Sequence, residues 1–319
     1  MSDRPDVLVL RRGTHGMPVT DLRDELRERL PDHDVRAATT PREERDLIAE
    51  VPIAVGMGID EELLSHAENL DLFACAYAGT GHLPMSSLEE AGVAVTNAAG
   101  VHGPNIAEQV IGSILAFSRR FFEGRERQAN HEWRHYQVGE FMGSTVTVVG
   151  LGAIGEAIVS RLEGFGVSTI GVRYTPEKGG PTDEVIGFES DDLHGALART
   201  DVLVLACPLT DTTRGLIGEE EVVTLPEDAL LVNIARGPVV ETDALVSALR
   251  RNKLRGAALD VTDPEPLPEE HPLWDFGNVQ ITPHNAGHTP RYYERLADIV
   301  AENVERLDGG EDELRNRVV

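Results

Sequence analysis

The chain has 319 residues, with 55 Asp plus Glu against 29 Lys plus Arg and a formal charge of −26. Its length favours two domains, its 41% hydrophobic content is that of a globular protein, and its acidity excludes partners held by phosphate neutralisation, nucleic acid and anionic membrane surfaces among them. Two cysteines, Cys75 and Cys207, cannot build a disulfide framework, and each lies in an apolar stretch that reads as a buried strand.

Acidic residues at the N-terminus, Met1-Ser2-Asp3-Arg4-Pro5-Asp6, lead straight into Val7-Leu8-Val9-Leu10. No basic region precedes a long apolar run, and no stretch of ~18 apolar residues occurs, so neither a signal peptide nor a membrane span is expected, and a cytoplasmic location is. Short apolar runs then alternate with amphipathic stretches. The first strand candidates are Val7–Leu10, Ile53–Val55, Leu72–Tyr77 and Val93–Thr96, with helical patterns at Val19–Leu30 and Pro41–Glu50 between them. One long helix is expected over Ile106–Asn130. A second series follows: Thr145–Val149, Thr169–Val172, Val202–Ala206, Leu230–Asn233, Ala257–Asp260 and Val279–Thr282. The last helical pattern runs from Thr289 to Leu307, and the acidic tail from Asp308 reads as loosely held. Two such series predict two doubly wound parallel-sheet α/β domains of Rossmann or flavodoxin type with a cleft between them.

Only Lys178 and Lys253 are lysines; every other basic side chain is an arginine. Abundant carboxylates that repel one another in dilute buffer, together with scarce lysine stems, match adaptation to high salt, where the Debye length falls to about 3 Å or less. The expectation is a halophilic protein with its acids on the outer surface.

Directly after the strand candidate Thr145–Val149 stands Gly150-Leu151-Gly152-Ala153-Ile154-Gly155, followed by a helical stretch, Glu156–Phe165. The first glycine suits a tight turn, the second lets backbone approach a pyrophosphate, and the third lets helix and strand pack closely; the helix N-terminus then offers free N–H groups. Dinucleotide binding is the reading. A strand that ends in an acid would favour NAD, but Thr169–Val172 ends at Arg173-Tyr174-Thr175, 18 residues past Gly155. An arginine there removes repulsion from a 2′-phosphate and can pair with it, so NADP(H) is preferred and NAD(H) remains possible.

Three later strands end in polar residues. Arg236 follows Leu230–Ala235, Glu265 follows Ala257–Val261 in the turn Asp263-Pro264-Glu265-Pro266, and His284 follows Val279–Pro283. Reduction of a 2-oxo acid calls for this set. A guanidinium holds the carboxylate and polarises the carbonyl, a histidine protonates the forming alkoxide, and a carboxylate beside that ring orients it and favours its charged form. No metal is called for.

The stretches Ala206-Cys207-Pro208-Leu209-Thr210, Thr212–Ile217, Val232-Asn233-Ile234-Ala235-Arg236-Gly237, Ala258-Leu259-Asp260-Val261, Glu265–Pro268, His271-Pro272-Leu273-Trp274 and Thr282-Pro283-His284-Asn285-Ala286-Gly287 resemble the D-isomer-specific 2-hydroxyacid dehydrogenases, in a halophilic, haloarchaeal-type form. The resemblance spans residues 50 to 305. It implies that Arg236 binds the substrate carboxylate, that Glu265 pairs with His284, and that His284 is the acid/base. It also implies a discontinuous substrate-binding domain, 1–97 plus 291–319, around a dinucleotide-binding domain, 98–290, with closure on the substrate. The loop Tyr77-Ala78-Gly79 would face the substrate carboxylate, and Ala153 and Ile154 would lie along the pyrophosphate. Cys207, Pro208 and Thr213 would flank the cofactor, with Arg173 and Tyr174 at its adenosine end. Ala235, Arg236, Asp260 and His284 would surround the nicotinamide. The long helix after Gly100 would contribute to a homodimer. Further pocket lining would come from Leu10–Gly16, His102, Trp274 and Tyr292. His102 and His82 depart from the family's commoner residues. Two other readings are a formate-type dehydrogenase on the same scaffold, which would place Gln where Glu265 stands, and a cofactor-sensing, co-repressor-like interaction protein, which would not need the Arg236, Glu265 and His284 set.

Overall fold

The structure, a computed structural model, describes residues 6–14, 16–311 and 313–319. The acidic start before Asp6 and His15 of the predicted Leu10–Gly16 loop lie outside these residues. In chain order the elements are β1 (Val7–Val9), α1 (Val19–Arg29), β2 (Val35–Ala37), α2 (Pro41–Ile48), β3 (Ile53–Gly56), α3 (Glu61–Leu64), β4 (Leu72–Cys75), α4 (Met85–Glu90) and β5 (Ala94–Thr96). There follow α5 (Gly103–Ser118), α6 (Phe121–Ala129), β6 (Thr145–Val149), α7 (Ala153–Leu162), β7 (Ser168–Val172), β8 (Glu184–Ile186), α8 (Ser190–Leu197) and β9 (Val202–Leu205). The last are α9 (Glu219–Thr224), β10 (Leu230–Asn233), α10 (Thr242–Arg250), β11 (Gly256–Leu259), β12 (Val279–Ile281) and α11 (Tyr292–Asp308).

Two compact units result. One joins the residues up to Val101 with those from His288 onward; the other is His102–Gly287. The first has five parallel strands in the order β2-β1-β3-β4-β5, and the second has seven in the order β12-β11-β10-β9-β6-β7-β8. Both orders reverse once, as in doubly wound sheets, the first in the flavodoxin pattern and the second in the Rossmann pattern with an added edge strand. Central strands are buried on both faces, so β3, β4, β9 and β10 read as unbroken apolar runs. In the second unit the order reverses between β6 and β9, and the crevice beyond their carboxyl ends receives the glycine turn.

The expected long helix is two helices. Ser118 O accepts from Gly139 N at 2.8 Å instead of continuing the helical ladder, and Arg120 turns left-handed at φ 52°. Phe117 is the last core-facing aromatic of α5, whereas Phe121 and Phe122 are 58% and 41% exposed. Continuing the helix would therefore bury nothing more. Strands β2 and β8, which the apolar pattern does not mark, are three-residue sheet edges, where little burial is required.

The tail after Asp308 is also corrected. Val318 N donates to Val95 O at 2.7 Å, Val95 N to Val319 O at 3.0 Å, and Thr96 bridges Arg317 in antiparallel fashion. Asn303 brackets Arg315 through both its amide atoms, and Leu314 is buried. The tail thus covers the open edge of β5. Its composition is polar, but its backbone does the pairing. Removing 313–319 forfeits the burial of Leu314, about 1.5–3 kcal/mol, and backbone hydrogen bonds of about 0.5–1.5 kcal/mol each. A clear fall in thermal midpoint is expected; an unchanged melting curve would contradict this role.

Candidate active site

The glycine turn is built by close approach. Gly150 has φ +99°, and a Cβ there would lie 2.7 Å from the backbone of Cys207. A Cβ on Gly155 would lie 1.9 Å from Gly150 O, so strand and helix meet with no room for a side chain. Gly152 is different. Nothing lies within 4 Å of its would-be Cβ, and it caps α7 in an extended conformation, leaving open space before the helix N-terminus that starts at Ala153 and Ile154. Crowding behind the loop and space in front of it fit a pyrophosphate group.

That space continues into a cavity of about 380 Å³ lined by Gly150, Gly152, Arg173, Tyr174, Cys207, Pro208 and Thr213. Thr213 is fixed by donating from Oγ1 to Pro208 O at 2.6 Å. Burial pushes the Cys207 thiol up to about 11, so it is a small wall residue with no thiolate for chemistry. Arg173 lies along the wall, its Nη1 donating to Gly179 O at 2.5 Å, with Glu156 at 4.0 Å. Tyr174 is 82% exposed. Lys178, Thr175, Phe188, Thr210 and Thr212 also line the cavity and were not singled out from the sequence. Lys178 carried a signal, because it is one of only two lysines.

On the other side of the switch point, β10, β11 and β12 are consecutive neighbours, and their carboxyl ends lead to Arg236, Glu265 and His284. Asn233 shapes the first exit: its Oδ1 accepts from Ala235 N at 3.0 Å and its Nδ2 donates to Arg236 O at 3.2 Å. Gly237 must follow, since a Cβ there would lie 1.9 Å from Thr262 O. Arg236 is exposed, with Nη1 donating to the buried Ala235's carbonyl at 2.6 Å.

His284 and Glu265 do come together, with Nδ1 of the ring 3.0 Å from Oε2 of the carboxylate. A carboxylate only accepts, so Nδ1 carries the hydrogen and Nε2 is left as the ring's other nitrogen. Oε1 of Glu265 accepts from Thr262 N at 3.1 Å, which fixes the carboxylate from its own turn. His284 itself has φ +51°, a left-handed conformation that a non-glycine residue holds only when its surroundings demand it. The demand comes from Asp260. Its buried carboxylate accepts from Thr282 Oγ1 at 2.5 Å, Asn285 N at 2.9 Å and Ala286 N at 3.0 Å, while its carbonyl accepts from His284 N at 2.8 Å. Asp260 thus spends its oxygens on the turn that carries the histidine.

In the first unit, Tyr77 is half-buried, Ala78 and Gly79 are exposed, and Asn97 Nδ2 donates to Ala78 O at 2.8 Å. His82 pairs with Met57 O at 2.7 Å and packs edge-on against the Tyr77 ring at 5.7 Å. Tyr292 does not line a pocket: it is fully buried in this unit's core and donates from its hydroxyl to Ala76 O. Trp274, in the second unit, is half-exposed, with Nε1 donating to Pro268 O at 2.9 Å. Among the described residues there is no cluster of three or more metal-ligating side chains, and no helix is long and apolar enough to cross a membrane.

The class these features define is that of α/β proteins that bind a dinucleotide at a switch point and carry polar chemistry on the neighbouring strand ends. Residues 111–286 match the family model described as D-isomer specific 2-hydroxyacid dehydrogenase, NAD binding domain. A glyoxylate reductase of Thermofilum pendens is 38% identical over 260 residues, 79% of this chain and 76% of that protein. The solved D-isomer specific 2-hydroxyacid dehydrogenase of Xanthobacter autotrophicus in complex with NADPH and MES superposes with a TM-score of 0.78 at 28% identity, covering 99% of this chain and 98% of that one. A probable 2-hydroxyacid dehydrogenase from Rhizobium etli, in complex with NADP, HEPES and tartaric acid, gives 0.75 at 27% identity over 99% and 98%. The chain belongs to the D-isomer specific 2-hydroxyacid dehydrogenase family and is an NAD(P)-dependent 2-hydroxyacid dehydrogenase by class.

Proposed function

We propose that this protein reduces small 2-oxo acids to D-2-hydroxy acids, and glyoxylate to the achiral glycolate, with NADPH. The observation that carries the reading is the Glu265–His284 pair at 3.0 Å on the strand end beside Arg236, in the same sheet as the glycine cradle. The glyoxylate reductase relative and the two NADP(H)-bound neighbours support the substrate class and the cofactor.

In this mechanism Gly150, Gly152, Ala153, Ile154 and Gly155 hold the pyrophosphate, and Cys207, Pro208 and Thr213 wall the cofactor. The cofactor, when bound, supplies the hydride. Arg236 grips the substrate carboxylate and draws electron density from the carbonyl oxygen. Nε2 of His284 delivers the proton to the oxygen, while Glu265 holds Nδ1 and orients the ring. Asp260, assigned to the nicotinamide side, acts there through the turn it holds together.

Arg173 carries the cofactor choice, with Lys178 on the same cavity wall adding a second positive charge for a 2′-phosphate. Efficiency with glyoxylate is expected to be higher with NADPH than with NADH. Arg173→Ala should cut the NADPH value by roughly tenfold to a hundredfold, the worth of charge-assisted hydrogen bonds, with the NADH value nearly unchanged. Equal performance of the wild type with NADH would overturn the assignment.

The acidity supports a halophilic enzyme. Among the described residues Glu44 and Asp260 are the buried carboxylates, so the remainder load the surface. In molar salt the melting temperature and the NADPH affinity should both rise over those in dilute buffer, because screening relieves repulsion within the shell and between shell and cofactor. Indifference to salt would contradict this. A homodimer fits the segment after α5, where Phe121, Trp133 and Met142 are exposed apolar side chains.

A formate-type reading is opposed by Glu265, which stands where such enzymes would carry a glutamine. A sensor without turnover is opposed by the paired Glu265 and His284.

A further inference from the structure

We propose that Asn105 and Gln109 of α5 are positioning residues for the acid/base histidine: they hold the 282–286 turn from the helix side and so set where the His284 ring sits. The inference rests on the reading of His284 as the proton donor, and extends it to side chains on another element. The two residues are four apart, hence on one face of α5, one turn above the other. They reach opposite ends of the turn. Asn105 Nδ2 donates to Ala286 O at 2.7 Å, and Gln109 Nε2 donates to Thr282 Oγ1 at 3.4 Å.

Between these anchors His284 keeps its left-handed backbone, which persists only where the surroundings over-determine it. Asp260 supplies one set of bonds from the end of β11, and α5 supplies the second. The two sets meet at Thr282. Its hydroxyl has a single hydrogen, which goes to Asp260 Oδ1 at 2.5 Å, because a carboxylate only accepts. The oxygen can then only accept from Gln109, so the amide must present Nε2 to it. A chain of donors results, from Gln109 to Thr282 to Asp260, with Asn285 N and Ala286 N closing on the same carboxylate at 2.9 and 3.0 Å.

The helix is a firm base for this. Ile106, Val110 and Ile114 of its inner face share a core cluster with Val232, Ile234 and Ala258, so α5 is seated on the strands whose ends carry the site. The contact lies between a helix and the sheet of one unit, and association of subunits neither makes nor covers it. A cavity of about 10 Å³ beside Gln109 is walled by Ser113, Asp260, Gln280 and Thr282. Gln280 Oε1 is buried without a hydrogen-bond partner among the described residues, so this second glutamine shares the cavity but takes no part in the chain of donors. It serves as the control.

Steady-state kinetics with NADPH and a 2-oxo acid, paired with amide hydrogen exchange, test this on Gln109→Met, Gln109→Glu, Asn105→Ala and Gln280→Met. Gln109→Met and Asn105→Ala are each expected to lower kcat roughly threefold to tenfold, the worth of one hydrogen bond, with KM for both substrates near wild type. The Asn285 and Ala286 amides should exchange faster in both. Gln109→Glu keeps the shape of the side chain. Ionised, it has no donor for Thr282; protonated, it regains one, so its kcat relative to wild type should climb as pH falls. Gln280→Met should change neither kcat nor exchange. Unaltered exchange in Gln109→Met, faster exchange with wild-type kcat, a Gln109→Glu deficit indifferent to pH, or an equal loss in Gln280→Met would each overturn the proposal while His284→Ala stays inactive. Near-wild-type turnover of His284→Ala would instead mark the failure of the histidine reading, and this inference would fall with it.

Discussion

Replacing His284 by alanine is expected to lower kcat with NADPH and a 2-oxo acid by roughly 10²–10⁴-fold, the usual worth of a positioned proton donor. The fold should not suffer. The turn that carries His284 is held by Asp260, through bonds to Thr282, Asn285, Ala286 and the His284 N–H, none of which involves the imidazole. Cofactor affinity and melting temperature should therefore stay near wild type while turnover collapses. Glu265→Ala removes the group that faces Nδ1 and should cost less, since the ring remains. Because Glu265 acts through His284, the double variant should be no slower than His284→Ala alone. Additive losses would show that Glu265 has a role of its own, and a mild effect of His284→Ala would remove the histidine from the chemistry.

Arg236→Ala is expected to have the second largest effect, reducing kcat/KM by roughly tenfold to a hundredfold or more, with KM raised as well as kcat lowered. Its side chain leaves β10 through a turn fixed by Asn233 and permitted by Gly237, so the guanidinium is presented from a rigid base. Arg236→Lys keeps the charge but not the planar fork, and should recover only part of the loss. An unchanged KM for the 2-oxo acid in Arg236→Ala would count against carboxylate binding.

Much of this architecture was legible in the residues because parallel strands buried on both faces leave continuous apolar runs. Leu230–Asn233 and Val202–Leu205 are such cases. The glycine turn was legible for a similar reason: Gly150 and Gly155 sit where any side chain would strike backbone, so their identity is forced. Elements that bury little were not legible. Strands β2 and β8 and the C-terminal tail on β5 pair through backbone, which leaves no hydrophobic period. The break between α5 and α6 depends on a hydrogen bond from Gly139, some twenty residues away in sequence, which no local pattern reports. Within the site, Arg236, Glu265 and His284 were recognisable from strand ends. The clamp by Asp260 and the presence of Lys178 on the cavity wall were not, since both depend on how loops fold back.

The charge of −26 first served only to exclude polyanionic partners. Among the described residues the buried carboxylates are Glu44 and Asp260, and Arg173, Lys178, Arg236 and His284 are the groups proposed to serve the nucleotide and the substrate, so under the proposed function the acidity belongs to the outer shell and not to the chemistry. The most direct test of the whole account is a single comparison in molar salt: NADPH consumption with glyoxylate against NADP⁺ reduction with formate, using one wild-type preparation. Turnover of glyoxylate with none of formate is the expected result. Formate oxidation, or no turnover of glyoxylate or any other small 2-oxo acid, would contradict it.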